Sequence, residues 1–468
     1  MAELLTNVSR TLPPRKNRVA VLGMLRSGKT ALMISLINHL LNHDRDRFPI
    51  GDGKSNWLAK EMPNNTFPYP RYRHQLANGR WHDKTLAVSE YALQAQPSQG
   101  RGRPVKLELV DVPGERLMDL MIARSSYETW SDQMLKTFEA TPEFDSHTHA
   151  FRQQQQQINS DSSTAEQTLI EAYRRCLVSL VTDAIPLVAP STFLIDEHGR
   201  HAPDVEPVKS ALDNNDTDAA VKALCATQAA GLKRGEEFAP LSRASRNRLP
   251  ELHKLFRHRF NQYRKQIAAP LAKQIGQVDT MVVLTDIARL LSHESGYYNV
   301  NETLLQKMIE CLDPGFKLGQ RLAFLGAGGY TNRHATKIAF VASQADRVLA
   351  DDHSNLRELL MEMTQPVRNA INWQWKPPAI DHFVCAAIRS TKPVTANGEP
   401  ALATVSETDD DGGGQPRGCR PSRVPECWEQ WVKSDGYQFP HPPPDVSTAR
   451  VVPPRQIGLD QLATFILQ

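Results

Sequence analysis

The sequence from Gly23 to Thr30 reads G-M-L-R-S-G-K-T and fits the spacing G-x-x-x-x-G-K-[ST] in full. Glycine at two positions of this segment allows backbone conformations that a side chain resists, so successive N–H groups can turn toward one anion. The Lys29 ammonium can then reach the β- and γ-phosphates of a nucleotide, and the Thr30 hydroxyl can ligate Mg²⁺. We call residues 23–30 the glycine loop and predict that it binds nucleotide phosphates, with Gly23 and Gly28 shaping it.

The segments on either side of the glycine loop fit this chemistry. Residues 18–22 form a short β-branched apolar run typical of a buried parallel strand, and residues 31–41 have the wide apolar face of a helix. This order places the loop at a helix N-terminus, where the helix dipole favours an anion. Ser27 and Arg26 are further candidate nucleotide contacts; whether Arg26 faces the phosphates or solvent stays open.

A second chemical segment follows a predicted strand at residues 105–111 and reads D-V-P-G-E from Asp111 to Glu115. A strand that ends in D-x-x-G delivers an acid to the Mg²⁺ side of a phosphate site, so we expect Asp111 to hold the ion through water. The Gly114 N–H would donate to the γ-phosphate, which is the contact of a nucleotide switch. Lys29 and Glu115 are the candidate catalytic residues, although Glu115 could orient the attacking water or simply be solvated.

A third segment, S-Q-A-D at residues 343–346, follows a predicted buried strand and resembles the guanine-reading pattern [NT]-K-x-D. Asp346 would accept hydrogen bonds from guanine N1–H and the exocyclic amine. Adenine lacks that donor pair, so we expect GTP or GDP as ligand and ATP less. Gln344 stands where Lys lays its stem over the base; it can pack there but adds no charge. The alternative is that Asp346 merely caps the next helix.

Two weaker signals lie at other strand ends. The apolar run at residues 383–390 is read as a strand that ends in small residues, so an amide of Ala387 or Ile388 could approach the base oxygen. Asp286 follows a predicted strand at residues 280–285 and is assigned to the core near the nucleotide crevice. It is not assigned to the base because no matching polar residue lies two positions earlier.

The sequence predicts an α/β fold of the P-loop NTPase type, with a mostly parallel sheet flanked by helices and a large helical insertion. We divide the chain into the first part of a nucleotide-binding domain (17–117), a helical insertion domain (118–275) and a second nucleotide-binding part with the base-reading segments and a C-terminal helix (276–468). The polar stretch 44–103 lies where a nucleotide switch is expected. Thr85, or alternatively Thr66, would supply a contact to Mg²⁺ and the γ-phosphate.

The composition of the chain sets outer limits on its function. The 468 residues include 55 Lys and Arg against 52 Asp and Glu, a net charge of +3, which argues against a strongly basic nucleic-acid coat. Apolar residues are 40% and charged residues 23%, as in ordinary globular proteins. No run approaches the roughly 18 apolar residues of a membrane span, and residues 1–18 lack an apolar signal core. We therefore expect a cytoplasmic protein.

Four segments together resemble the YcjX-like P-loop NTPases, which are bacterial cytoplasmic proteins linked with stress responses. They are the glycine loop, D-x-P-G-E at 111–115, the [TS]-x-A-D at 343–346, and the closing I-x-L-D-Q-x-x-x-F-[IL]-L. The resemblance implies a Ras-like nucleotide domain with a helical insertion, binding of GTP or GDP, and Mg²⁺-dependent hydrolysis. The sequence departs from the family pattern at Gln344, where Lys is more common, and at Arg116, where Trp is usual.

Three hypotheses remain open at the level of sequence. The first is a slow molecular switch in a bacterial stress response that hydrolyses GTP to GDP and acts on a protein partner. That partner is unidentified and could be membrane-associated, a homodimer is left open, and no specific nucleic acid is expected. The second is an ATPase or small-molecule kinase with a helical lid. The third is a GDP-bound scaffold without hydrolysis.

Overall fold

A computed structural model describes most of the chain. The described residues are 13–24, 26–82, 88–98, 103–140, 142–160, 163–182, 219, 236–292, 298, 302–306, 335–371, 378–404, 418–431, 436–444 and 453–468.

The described strands form one sheet of seven and one hairpin of two. They are β1 (Arg15–Gly23), β2 (Trp57–Glu61), β3 (Ser89–Pro97), β4 (Val105–Asp111), β5 (Thr280–Thr285), β6 (Lys337–Ala342), β7 (Ala379–Val384), β8 (Thr391–Ala396) and β9 (Glu399–Thr404).

The seven-stranded sheet has the order β2-β3-β4-β1-β5-β6-β7. The five strands from β4 to β7 in this order run parallel, whereas β2 and β3 join one edge through antiparallel pairing. The predicted α/β fold with a mostly parallel sheet is confirmed. Strand β5, in the middle of the five parallel strands, is largely apolar because both of its faces are covered, and all six of its residues are buried.

Helices make up most of the remaining regular structure in the described ranges. They are α1 (Lys29–Leu41), α2 (Tyr69–Ala77), α3 (Leu120–Ala123), α4 (Tyr127–Ala140), α5 (Pro142–Gln157), α6 (Ser163–Thr182), α7 (Arg243–Arg248), α8 (Pro250–Tyr263), α9 (Ala269–Gly276), α10 (Ile287–Ser292), α11 (His353–Met363), α12 (Gln365–Ile371) and α13 (Leu459–Leu467). A 3₁₀ helix spans Gly114–Asp119, and a single π-helical turn spans Arg264–Ala268. Shorter 3₁₀ helices span Ala345–Arg347, Ala350–Asp352 and Trp428–Gln430.

The chain divides into two compact units. The first comprises residues 1–112, 277–293 and 315–468 and contains both sheets. The second comprises residues 113–276 and 294–314, and the regular elements described in it are helices. Within the part of the chain that the structure describes, no helix has the length and apolar character needed to cross a bilayer.

The last helix, α13, packs on the sheet of the first unit, where Leu459, Leu462 and Ile466 are buried. Its closing carbonyl groups accept hydrogen bonds from side chains of β1 and β6: Asn17 Nδ2 donates to Ile466 O at 2.6 Å and Lys337 Nζ donates to Phe465 O at 2.7 Å. A cation at this end of a helix is favourable because the dipole is negative there. The predicted C-terminal helix is therefore present and anchored on the sheet.

We expect Gly458→Ala to destabilise the first unit. Gly458 precedes α13 with φ +64°, and an added Cβ would lie 2.2 Å from the Val384 carbonyl oxygen. Left-handed strain and the overlap together should lower the free energy of unfolding by about 2–4 kcal/mol. Urea unfolding followed by tryptophan fluorescence measures this loss.

The matched control is Gly398→Ala in the β8–β9 turn. Gly398 has φ +83°, and an added Cβ would meet nothing within 4 Å. This variant isolates the backbone strain, so its loss should stay near 1–2 kcal/mol. Equal losses for the two variants would contradict the role given to the Val384 contact.

Candidate functional site

The candidate residues of the first unit lie beyond the carboxyl ends of parallel strands. The glycine loop follows β1, Asp111 ends β4, Asp286 follows β5, and residues 343–346 follow β6. Because the carboxyl ends of parallel strands meet at one edge of a sheet, segments far apart in sequence come together there. A ligand crevice is expected at this edge.

Gly23 is sterically required in the glycine loop. Its φ is +152°, and a Cβ added there would lie 2.5 Å from Ser27 Oγ and 2.6 Å from the Leu284 carbonyl oxygen. The Ser27 hydroxyl therefore occupies the space over Gly23, and neither β1 nor β5 can move away without losing the sheet. Gly28 has φ +86° at the start of α1, where a residue with a Cβ would be strained.

The Lys29 side chain folds back onto the glycine loop. Its ammonium donates to the Gly23 carbonyl oxygen at 2.7 Å and to the Met24 carbonyl oxygen at 2.8 Å. Lys29 is only 7% exposed, so a positive charge is held inside the loop by main-chain oxygens. Such a charge attracts an anion that can replace part of its lost hydration.

The glycine loop and Asp111, the first residue of the D-x-P-G segment, meet in the first unit. The Thr30 hydroxyl donates to Asp111 Oδ2 at 3.1 Å, although the two residues are 81 positions apart in sequence. Asp111 is fully buried and Thr30 is 5% exposed. A hydroxyl and a carboxylate side by side are oxygen ligands of the kind that Mg²⁺ prefers.

The Ser27 hydroxyl supports a further polar ligand at this point. Ser27 is 2% exposed, and its Oγ has no hydrogen-bond partner among the described residues. A buried hydroxyl without a partner is costly, so its presence within a loop of this type fits a phosphate oxygen. The residues present therefore fit both a phosphate chain and its metal ion.

Asp346 lies in the first unit with its carboxylate turned toward the segment after β7. Asp346 Oδ2 accepts a hydrogen bond from the Ser390 N–H at 2.9 Å, and its main-chain oxygen accepts one from the Thr391 hydroxyl. Burial raises the pKa of Asp346 to about 6, although the Ser390 N–H acts in the opposite direction. The buried hydroxyls of Ser343 and Ser390 have no hydrogen-bond partner in the described part of the chain. These polar groups are available to a base.

The predicted strand at residues 383–390 is wrong in its bounds, because β7 ends at Val384. The chain then leaves the sheet: Ala386 pairs with Ile457 through two backbone hydrogen bonds of 2.9 Å. The Ala387 carbonyl accepts from the Ser35 hydroxyl at 2.6 Å, and Ile388 is buried. The segment that contains Ala387 and Ile388 is thus a fixed loop between α1 and Asp346.

The side chain of Gln344 is placed differently from the expectation. Its Nε2 donates to the Arg26 carbonyl oxygen in the glycine loop at 2.8 Å and to Asp286 Oδ2 at 2.9 Å. Asp286 also pairs with Arg347 Nη1 at 2.9 Å. Arg26 itself is exposed.

Sequence reasoning missed Asp286 and Arg347 as part of this site. The sequence places Asp286 near the nucleotide crevice but gives it no contact there, because no matching polar residue lies two positions earlier, and Arg347 directly follows Asp346 without a known pattern. The available signal was a carboxylate, Asp286, after strand β5 and a guanidinium, Arg347, after strand β6. Neighbouring strand ends place such a pair within reach.

Four further candidate residues are Thr85, Glu115, Thr66 and Gly114. Thr85 and the Glu115 side chain lie outside the described residues, and their roles stay predictions. Thr66 is exposed, and its hydroxyl accepts a hydrogen bond from the Glu90 N–H at 2.8 Å. Gly114 begins the 3₁₀ helix Gly114–Asp119 and belongs to the second unit.

Comparisons with known proteins agree over nearly the whole chain. The sequence model of the YcjX-like family, DUF463, matches residues 17–468. The chain is 25% identical over 457 residues to a protein of Escherichia coli (strain K12) named Ras-like GTPase YcjX, covering 91% of this chain and 90% of that protein. It is 22% identical over 416 residues to the protein of the same name from Shewanella oneidensis, covering 81% and 78%.

The raised pKa of Asp346 predicts how stability depends on pH. Between the ordinary carboxyl pKa near 3.8 and about 6, the folded protein binds more protons than the unfolded chain, so stability falls as pH rises through that window. Asp346→Asn keeps an acceptor for Ser390 and removes the charge. Without nucleotide it should be more stable than wild type by about 1–3 kcal/mol at pH 7.5, with the difference vanishing near pH 4.

Urea unfolding at pH 4, 5, 6 and 7.5 measures this difference, with Asp351→Asn at an exposed neighbouring carboxylate as the control. A pH-independent difference for Asp346→Asn would contradict the assignment of the buried charge.

Proposed function

The chain belongs to the YcjX-like family, DUF463, and from this premise we propose that it is a GTPase that binds the phosphates of GTP in its glycine loop. The observation that carries the proposal is the 3.1 Å hydrogen bond between Thr30 and Asp111. It unites two motifs that would both be needed at the same phosphate site and that the sequence could only suggest separately. The name Ras-like GTPase of the two relatives supports the same activity.

Each group of the glycine loop has a task in this proposal. The loop amides hold the β-phosphate, and Lys29 turns from its carbonyl oxygens toward the β- and γ-phosphates, where it stabilises developing negative charge. Thr30 and Asp111 would hold Mg²⁺, which when bound neutralises charge between the β- and γ-phosphates. Ser27 donates its buried hydroxyl to a phosphate oxygen.

The base is the second part of the proposal. Ionised Asp346 accepts hydrogen bonds from guanine N1–H and the exocyclic amine, while the loop at Ala387 and Ile388 lies against the base oxygen. Binding of guanine compensates the burial that makes the Asp346 charge unfavourable, because two donors replace lost water. Its pKa of about 6 lies below neutral pH, so the carboxylate is available there.

Hydrolysis by the isolated chain is proposed to be slow. In this class of enzyme the largest accelerations come from an arginine supplied to the γ-phosphate, often by a partner. Glu115 would orient the attacking water. The Gly114 N–H would donate to the γ-phosphate and would lose this bond when the phosphate leaves. The stress-response role and the identity of the protein partner stay predictions from the family resemblance.

The second unit offers a route by which a change at Gly114 could reach a partner. The 3₁₀ helix Gly114–Asp119 packs against the π-helical turn Arg264–Ala268. The Tyr263 hydroxyl donates to the buried Asp119 Oδ1 at 2.8 Å, and Arg264 Nη1 donates to the Ser125 carbonyl oxygen at 2.8 Å. We therefore propose that the helical segment from α8 to α9 is the output of the switch, that is, the part that transmits the change at Gly114 to a partner.

Competitive binding of GTP and ATP with Mg²⁺ separates the phosphate and base contributions. Lys29→Ala should abolish binding of both nucleotides, because the loop loses its cation. Asp346→Asn should weaken GTP binding at least about tenfold, because the asparagine amide cannot accept hydrogen bonds from both guanine N1–H and the exocyclic amine as the carboxylate does. ATP binding should be unchanged, since adenine lacks that donor pair. The asparagine amide can donate to the C2 carbonyl of xanthine, so this variant should bind XTP better than wild type does.

The same assay decides among the alternatives. Preference of the wild type for ATP would favour an ATPase or small-molecule kinase. Tight GDP binding without GTP turnover, even with added partners, would favour a scaffold. Fast steady-state turnover by the isolated chain would contradict the slow switch.

Tyr263→Phe tests the proposed output. We expect the wild type to change its amide hydrogen exchange in residues 114–123 and 250–276 when GDP is replaced by a non-hydrolysable GTP analogue. In Tyr263→Phe the change should stay within residues 114–123, because the bond to Asp119 is lost. Tyr127→Phe removes another buried tyrosine bond of this unit, 2.7 Å to the Ala239 carbonyl oxygen, and is the control. Unaltered exchange differences in Tyr263→Phe would refute the route.

A further inference from the structure

Two strained residues meet at the glycine loop. Arg26 has φ +63° and Gln344 has φ +57°, both in the left-handed region that residues with a Cβ avoid. They are joined directly, because the Gln344 amide donates to the Arg26 carbonyl oxygen at 2.8 Å. Strained conformations of this kind persist only where surrounding contacts fix them, and they cluster at functional sites.

The orientation of the Gln344 amide is fixed from its other side. Its Nε2 also donates to Asp286 Oδ2 at 2.9 Å, and its Oε1 accepts from Arg347 Nη1 at 3.2 Å. A carboxylate accepts only and a guanidinium donates only, so the reverse orientation of the amide would lose both bonds. The amide nitrogen therefore faces Arg26.

The Asp286–Arg347 pair that holds Gln344 is itself held by further hydrogen bonds. The two charged groups are 2.9 Å apart, and their side chains are 6% and 4% exposed. Asp286 Oδ1 accepts from the Arg289 N–H at 3.0 Å. Arg347 donates through Nε to the Pro440 carbonyl oxygen at 2.8 Å, and its Nη2 lies 3.2 Å from His441 Nε2. These hydrogen bonds favour one arrangement of the buried ion pair. Removing one partner would leave the charge of the other uncompensated.

We propose that Gln344, Asp286 and Arg347 form a clamp that holds the glycine loop in its anion-binding conformation, so that Gln344 serves the phosphates and not the base. The proposal rests on the function proposed above. It makes Asp286 and Arg347 positioning residues: they act on the nucleotide through Gln344 and the Arg26 carbonyl group. The base is then recognised through Asp346, whose carboxylate accepts a hydrogen bond from the Ser390 N–H.

A different assignment follows from the pattern [NT]-K-x-D, in which the second residue packs over the base. The two assignments differ in what each substitution should change. Loss of a clamp residue weakens every ligand that carries phosphates and leaves the preference among bases as it was. Loss of a base contact changes that preference and leaves a ligand without a base unaffected.

The test uses displacement of a fluorescent GDP analogue from the full chain by GDP, by IDP and by inorganic pyrophosphate, each with Mg²⁺. IDP lacks the exocyclic amine of guanine, and pyrophosphate lacks the base. Gln344→Glu places a carboxylate against Asp286 and the Arg26 carbonyl oxygen, so it should weaken all three ligands at least about tenfold with an unchanged GDP-to-IDP ratio. Gln344→Lys restores donors toward both acceptors and should recover most of this loss.

Matched variants separate the clamp from general stability. Asp286→Asn should behave as Gln344→Glu does. Asp352→Asn breaks another ion pair of a buried carboxylate in the first unit, the pair with Arg423, and should leave all three affinities unchanged. Asp346→Asn should change the GDP-to-IDP ratio and leave pyrophosphate binding as in wild type.

The outcomes are distinct. If Gln344→Glu changes the GDP-to-IDP ratio but not pyrophosphate binding, or leaves all affinities unchanged, the clamp is refuted while the proposed function stands. If the wild type binds neither the GDP analogue nor GDP, the proposed function and the clamp fail together.

Discussion

The rest of the site depends on one interaction, the binding of the Lys29 ammonium group by main-chain oxygens of its own loop. This group is nearly buried and is held by two main-chain oxygens of the loop that contains it. A buried charge is tolerated in that position because the loop carbonyl oxygens replace its water ligands. A bound anion would compensate the charge further. Gly23 makes the arrangement sterically feasible, since a Cβ would overlap Ser27 and Leu284. The adjacent Thr30 brings Asp111 into the same region.

The chain changes from one compact unit to the other close to this point. The boundary after Val112 lies one residue beyond Asp111, and the chain returns to the first unit at Gln277, just before β5. The sheet of the first unit therefore contains β4 and β5 on either side of β1, with 164 residues of the second unit between them in sequence (113–276). The chain therefore leaves the first unit directly after the Asp111 strand and re-enters it at the strand on the other side of β1.

The elements predictable from the sequence were those whose burial leaves a continuous apolar run. Strands β1, β5 and β6 belong to this class, as does helix α1 with its wide apolar face. Strand β4 is the exception: its apolar residues alternate, and it was predictable because D-x-P-G follows it directly. Strands β2 and β3 went unpredicted within the polar stretch 44–103. The alternating residues of β3 are buried on one face only, and β2 is largely exposed at the sheet edge, so neither produces a strong apolar signal. Both strands are defined by backbone pairing, of β2 with β3 and of β3 with β4, which no local pattern shows.

The candidate site shows the same limit. The glycine loop, Asp111 and Asp346 could be proposed because their spacing carries the chemistry. The direction of the Gln344 amide could not, because it depends on an ion pair between Asp286 and Arg347, 61 residues apart in sequence. The end of β7 was misplaced for a related reason: Ala386 bonds to Ile457, a contact that no local pattern reveals.

Calorimetric titration of the purified wild-type chain with GTP and with ATP, each with Mg²⁺, tests the central claim most directly. We predict one GTP site per chain and weaker binding of ATP. No heat with either purine triphosphate would contradict the claim that residues 23–30 hold a nucleotide, and equal or tighter binding of ATP would contradict the role given to Asp346.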